Sequence, residues 1–197
     1  MLLEKLNKAK IIGTIAEPLK YETESYGGVY ITILETKRLS DVVDRIPIRI
    51  PKSAFKGIRL NVGTKVCIEG ECRSYSTNHH LDICIFAKRI SIVSTDVYDV
   101  NEIEMIGYIC KTPNYRVTPL GRRICDVMVA VPRNLENSAY IPCIAWGRNA
   151  EYVDRLPMGV KLNIEGRIQS RDYSKIIEGE AVIKTAIELS CSLVALV

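Results

Sequence analysis

Apolar residues recur at every second position through most of this chain, the period of a half-buried strand. Residues 10–16 and 104–110 are rich in β-branched side chains and run into Pro-bearing turns. Strands at 28–34 and 123–131 follow, preceded by turn signals at Tyr26-Gly27-Gly28 and Pro119-Leu120-Gly121. Residues 45–50 and 139–145 make a third pair of strands, 65–74 and 161–171 a fourth, and 80–92 and 180–186 a fifth. Between the third and fourth strands the period turns helical, over 52–60 and 148–156. The second stretch carries Ala150, Tyr152, Val153 and Leu156 at helical spacing, and the two stretches end before Gly63 and Gly159.

The segments come in pairs because the chain repeats itself. Asn7, Gly13 and Pro18 are echoed by Asn101, Gly107 and Pro113; Pro47 by Pro142; and Gly63-Thr-Lys65 with Glu69-Gly70 by Gly159-Val-Lys161 with Glu165-Gly166. A repeat of this length is a small domain and not a solenoid unit. The expected domains are 1–98 and 99–197, joined by a short polar segment at 94–100. Glycine inside the fourth strand, at 70 and 166, predicts a bulge or bend of the kind a closed barrel needs. Five strands with a helix between the third and fourth is the order of the OB fold. The expectation is an all-β chain of two tandem OB-fold five-stranded barrels, each with one short helix between strands 3 and 4.

Composition narrows the function. With 47% hydrophobic and 25% charged residues the chain is an ordinary globular one, without an apolar run long enough to span a membrane or a signal-like start, so the cytoplasm is the expected location. Seven scattered cysteines, no C-x-x-C and an isolated His79-His80 pair in a predicted turn give no disulfide framework or metal site. No phosphate loop or zinc signature occurs, and no cofactor or enzymatic activity is expected. The net charge of +4 is mild, but eight of the second copy's twelve basic residues are Arg, against six of fifteen in residues 1–100. Arg forks onto phosphates and stacks on flat rings, which Lys does less well.

The second copy, over 101–189, resembles the bacterial single-stranded DNA-binding protein family. The resemblance rests on Ile106-Gly107, then Pro113, Arg116, Thr118 and Gly121, then Tyr140-Ile-Pro-Cys-Ile-Ala-Trp146-Gly147-Arg148, and finally Gly159, Lys161, Glu165-Gly166-Arg167, Gln169-Ser170-Arg171 and Tyr173. The first copy resembles the family only in outline. The resemblance implies an OB barrel, sequence-tolerant binding of single-stranded DNA without chemistry, and several barrels presented together, hence a homodimer of four barrels. It also implies that Tyr140, Trp146 and Tyr173 stack bases. Two departures stand out. The family usually ends in a flexible acidic tail that recruits partner proteins, whereas no acidic residue follows Glu188 in this sequence. In copy one, Tyr140 answers to Arg45 and Trp146 to Pro51, and only Tyr173 keeps a counterpart, Tyr75.

Stacking rings and phosphate-tracking cations are the two effects by which a barrel holds a single strand. Arg116, Arg122, Arg123, Arg148, Arg167 and Arg171 are the cation candidates of copy two. Alternation puts Tyr140, Pro142, Ile144 and Trp146 on one face and Ile141, Cys143 and Ala145 in the core. Tyr108 and Tyr115 are expected as packing rings. In copy one Arg45, Arg49, Lys52, Arg73 and Tyr75 are expected to extend the path, with weaker binding. Two other readings fit the same residues: a replication-accessory module that binds protein, and an RNA-binding OB module, since rings and arginines do not by themselves choose DNA.

Overall fold

The computed structural model describes residues 6–24, 27–55, 57–77, 80–134, 136–177 and 180–197. Copy one forms β1 (Asn7–Ile15), β2 (Lys20–Glu24), β3 (Gly27–Lys37), β4 (Val43–Pro51), β5 (Lys65–Thr77) and β6 (His80–Ile92). Copy two forms β7 (Val100–Ile109), β8 (Asn114–Val117), β9 (Arg123–Pro132), β10 (Ser138–Trp146), the helix α1 (Arg148–Asp154), β11 (Lys161–Ile177) and β12 (Glu180–Leu196). In copy one β1 pairs with β3, β3 with β4, β4 in parallel with β6, β6 with β5, and β5 with β1 again. Copy two repeats the circuit through β7, β9, β10, β12 and β11. This is the strand order of the OB fold, run twice. Antiparallel pairing of β1 with β7 fuses both circuits into one sheet.

The alternation read from sequence builds the core. Ala9, Ile11 and Ile15 of β1 point inward while Lys8 and Lys10 are exposed. The fully buried set is dominated by isoleucine, with Ile46, Ile48 and Ile50 on β4 and Ile68 on β5. A β-branched chain suits a pleated inner face, and each fully buried one is worth roughly 1.5–3 kcal/mol. Cys72, Cys125, Cys143 and Cys191 are buried in the same core.

Several elements differ from the sequence reading. The helix expected over 52–60 is a single 3-10 turn at Lys52–Ala54. Gly57 takes a left-handed φ of 78°, which stops helical continuation, and Phe55 instead packs on Tyr30 with ring centroids 4.5 Å apart. The Pro-bearing turns after β1 and β7 lead into the extra strands β2 and β8, which pair with β3 and β9. The fifth strand of copy two runs on to Leu196 and buries Leu189, Cys191 and Val194. The Pro119-Leu120-Gly121 turn is present, with Gly121 at φ 73°. The turn at Tyr26-Gly27-Gly28 falls partly outside the described residues, as do Asn78 and His79. Both predicted bulges exist, between Glu69 and Gly70 and between Glu165 and Gly166. Past each bulge the fourth strand extends as a long arm and crosses the third strand of the other copy. Tyr140 N–H donates to Ser74 Oγ at 2.7 Å, and Arg45 N–H donates to Ser170 Oγ at 2.8 Å.

Candidate nucleic-acid interface

The outer face of copy two is assembled across β9, β10, β12 and β11. On β10, Ala139, Ile141, Cys143 and Ala145 enter the core, which turns Tyr140, Pro142, Ile144 and Trp146 outward. Tyr140 is 48% exposed. Ile144, unlike its neighbours on this face, is buried. Trp146 is partly buried but stands outside the core cluster. Its Nε1–H donates to Ser190 Oγ at 3.0 Å, which pins the nitrogen edge of the ring to β12. Tyr173 lies further out on the β11 arm, with the Arg171 guanidinium 6.0 Å from its ring centroid.

The arginines around these rings differ in how far their charge is already answered. Arg116 grips Asp126 with both its Nε and Nη2, at 2.7 and 3.2 Å, and that contact raises its pKa. Arg123 pairs with Glu151 across to α1, and Arg171 lies 3.7 Å from Glu188. Arg122 and Arg148 are exposed and make no side-chain ion pair among the described residues. Arg167 is partly buried with its Nε unpartnered; burial first, then the nearby Arg38, lowers its pKa from the arginine range. Tyr115 packs against the core, and Tyr108 sits in the β7 ladder opposite Ala130 and Lys161.

The comparisons with known proteins bear on the second copy as a stretch of sequence and on the fold of both copies. Residues 100–193 match the model of the single-strand binding protein family. The second copy is similar to that family along most of its length. Single-stranded DNA-binding protein A of Bacillus subtilis (strain 168) is 30% identical over 96 residues, covering 45% of this chain and 55% of that protein. Single-stranded DNA-binding protein 1 of Staphylococcus aureus (strain COL) is 32% identical over 95 residues, covering 45% and 56%. The chain thus spans about half the length of the curated relatives it matches. The wild-type single-stranded DNA binding protein from Thermus aquaticus superposes with a TM-score of 0.76 over 97% of this chain and 92% of that one. At 17% identity that likeness shows the fold, across both copies.

Outside the family match, copy one presents the same face with different chemistry. Arg45 is bound by Glu17 at 2.7 Å and by Glu35. Arg49 reaches Glu22 at 3.3 Å and lies 4.6 Å over the Tyr75 ring. Arg73 lies 3.7 Å over Phe86 and pairs with Glu71 at 2.9 Å. Burial raises the Tyr75 pKa, and the ring is already covered by a cation. Nor is Tyr75 the counterpart of Tyr173. Ser74 and Ser170 make equivalent contacts, and Tyr75 follows the first by one residue while Tyr173 follows the second by three. Three-dimensional equivalence pairs Tyr75 with Arg171.

Two residues that frame the site carry no sequence signal of their own. Ser190 fixes the Trp146 ring, yet reads as one small polar residue in an apolar tail. Arg38 belongs to copy one and lies beside Trp146 and Arg167 of copy two. A basic pair at Lys37-Arg38 before a turn is all that marked it.

Proposed function

We propose that this chain binds single-stranded DNA without sequence preference, as a non-catalytic component of DNA replication, repair or recombination. The observation that carries the reading is the outer face of copy two. There Tyr140 and Trp146 stand outward on one strand, and beside Trp146 lie Arg122 and Arg167, which make no ion pair among the described residues. Rings stack on bases of any identity, and the cations take the phosphates. Trp146 is the only tryptophan, so its fluorescence reports this one place. Titration with oligo-dT should quench it, with affinity that falls as salt rises. Trp146→Ala and Tyr173→Ala, the latter followed by anisotropy of labelled DNA, should each weaken binding by roughly 1–3 kcal/mol. Absence of binding at low salt would defeat the reading, and tighter binding of oligo-U would redirect it to RNA.

We also infer that two chains pair, bringing four barrels together. On the shared β1–β7 surface, copy one supplies Lys8 and Lys10, together with Lys88 and Arg89 held by Glu71 and Glu69, and copy two supplies Glu102, Glu104 and Glu165. Lys8 faces Glu104 and Lys10 faces Glu102 across the strand pair, so the surface carries a basic row beside an acidic row, and a second copy related by a two-fold axis can lay opposite rows together. Light scattering should show a dimer at micromolar concentration that weakens as salt rises; a stable monomer there would refute the pairing. Replication proteins are the candidate partners of this assembly.

A further inference from the structure

Where the two copies meet, a cleft of about 340 Å³ opens beside Trp146. Its walls carry Arg122 and Arg167 of copy two, Arg38 of copy one, and the hydroxyls of Ser190 and Ser192; among the described residues that line it there is no carboxylate. The strand ladders explain the convergence. Arg122 precedes by two residues Ile124, the cross-strand partner of Trp146. Ser190, which holds the indole nitrogen, is the cross-strand partner of Arg167. Arg38 enters from the turn after β3, steadied by Asp44: its Nε donates to Asp44 Oδ2 at 2.6 Å. Asp44 is fully buried and also accepts the Ser170 N–H at 2.9 Å.

The balance of charge and hydrogen bonds in the cleft is incomplete. Asp44 is bonded to Arg38 and to the β11 backbone; it attracts Arg167 through space but makes no hydrogen bond or ion pair with it. The Arg167 Nε is buried without an acceptor, and Arg122 has no ion pair among the described residues. A buried donor left unmade is costly, and neighbouring guanidiniums of like charge add to the cost. Both are relieved by an anion that brings several acceptor oxygens. Because the indole forms one wall, the best-fitting anion is a phosphate that carries a flat base within stacking reach.

We propose that this cleft holds a backbone phosphate of a single strand whose base stacks on Trp146, with Arg38 as the contact contributed by copy one. The proposal rests on the strand-binding reading above and deepens it. Copy one then meets the strand through its β3–β4 turn, at the junction, and not only through its own barrel face.

The test uses the full chain, Trp146 emission, inorganic pyrophosphate as the probe of the cleft and oligo-dT as the probe of strand binding. The variants are Arg122→Gln, Arg167→Gln, Arg38→Lys, which keeps the ion pair to Asp44 but loses the fork, and the double variant Arg38→Gln with Asp44→Asn, which replaces the buried pair by neutral amides. Pyrophosphate should change the emission of the unaltered protein and require at least about tenfold more ligand in each variant. Each neutral variant should also lower the slope of log affinity for oligo-dT against log salt by about 0.7, one phosphate contact on a single strand. Oligo-dT binding with unchanged slopes and an unchanged pyrophosphate response would overturn the cleft and leave the strand-binding reading standing. An intact pyrophosphate response without any oligo-dT binding would overturn both the reading and the choice of ligand.

Discussion

Gly166 shows how one atom can be excluded by a strand crossing. A Cβ built there would overlap the carbonyl oxygen of Ser190, and one at Gly70 would overlap that of Phe86. Both glycines sit at the bulges where the fourth strand changes register against the fifth, so backbone approaches backbone more closely than any side chain permits. Gly13 and Gly107 meet the same kind of limit, against Glu35 and against Val129 with Ala130. These four glycines, shared in pairs by the two copies, are therefore requirements of close strand packing, independent of what is bound. Gly166→Ala should destabilise the protein by roughly 1–3 kcal/mol through overpacking. Urea melts would register a lower midpoint at unchanged slope. A midpoint equal to that of the unaltered protein would show that the crossing can relax.

At the scale of elements, the long arms need support where the bulge ends the ordinary ladder. Asn7 supplies it in copy one: its Nδ2–H donates to the Cys72 carbonyl at 2.8 Å and its Oδ1 accepts the Cys72 N–H at 3.0 Å. Asn101 does the same for Ile168, at 2.7 and 2.9 Å. Asn7→Ala or Asn101→Ala leaves a donor and an acceptor unmade at a partly buried site and should cost about 1–3 kcal/mol each. Faster hydrogen exchange confined to the amides of β5 or β11 past the bulge would localise the loss, and unchanged exchange would contradict the clamp. The repeat exposed Asn7 and Asn101 as a matched pair but could not say what they hold, because their partners lie on another strand. The same limit separates the rest of the reading. Alternation settled which β10 residues enter the core, since that depends on neighbours along one strand. It could not show that Lys52 begins only a single 3-10 turn, that Ser190 anchors Trp146, or that Arg38 reaches copy two, since each depends on a contact between distant segments. Even the match of Tyr75 to Tyr173 failed, because spacing was counted along the chain and not from the bulge.

At the scale of the whole molecule, net charge ranks the two copies wrongly. Residues 1–100 hold the larger excess of basic over acidic residues, 15 to 12, yet much of that excess is answered internally. Arg45 lies between Glu17 and Glu35, Arg49 reaches Glu22, Arg73 and Lys88 share Glu71, and Arg89 pairs with Glu69. Copy two has fewer cations but leaves Arg122, Arg148 and Arg167 without carboxylate partners among the described residues. Copy one thus resembles a binding face whose cations are held by its own acids. The exposed pairs of Arg45 with Glu17 and Glu35 contribute only about 0–1 kcal/mol to stability, so they can be opened without unfolding the barrel. The variant Glu17→Gln with Glu35→Gln frees Arg45, which stands at the position that Tyr140 occupies in copy two. With oligo-dT long enough to cross both copies, affinity should rise and the salt slope should steepen by about 0.7. With an oligonucleotide that fills copy two alone, both should stay as they are, since the freed arginine lies beyond its reach. Calorimetric titration with the two lengths at several salt concentrations separates these cases. An unchanged slope with the long strand would place Arg45 off the strand's path and leave the junction at Arg38 as copy one's part in binding.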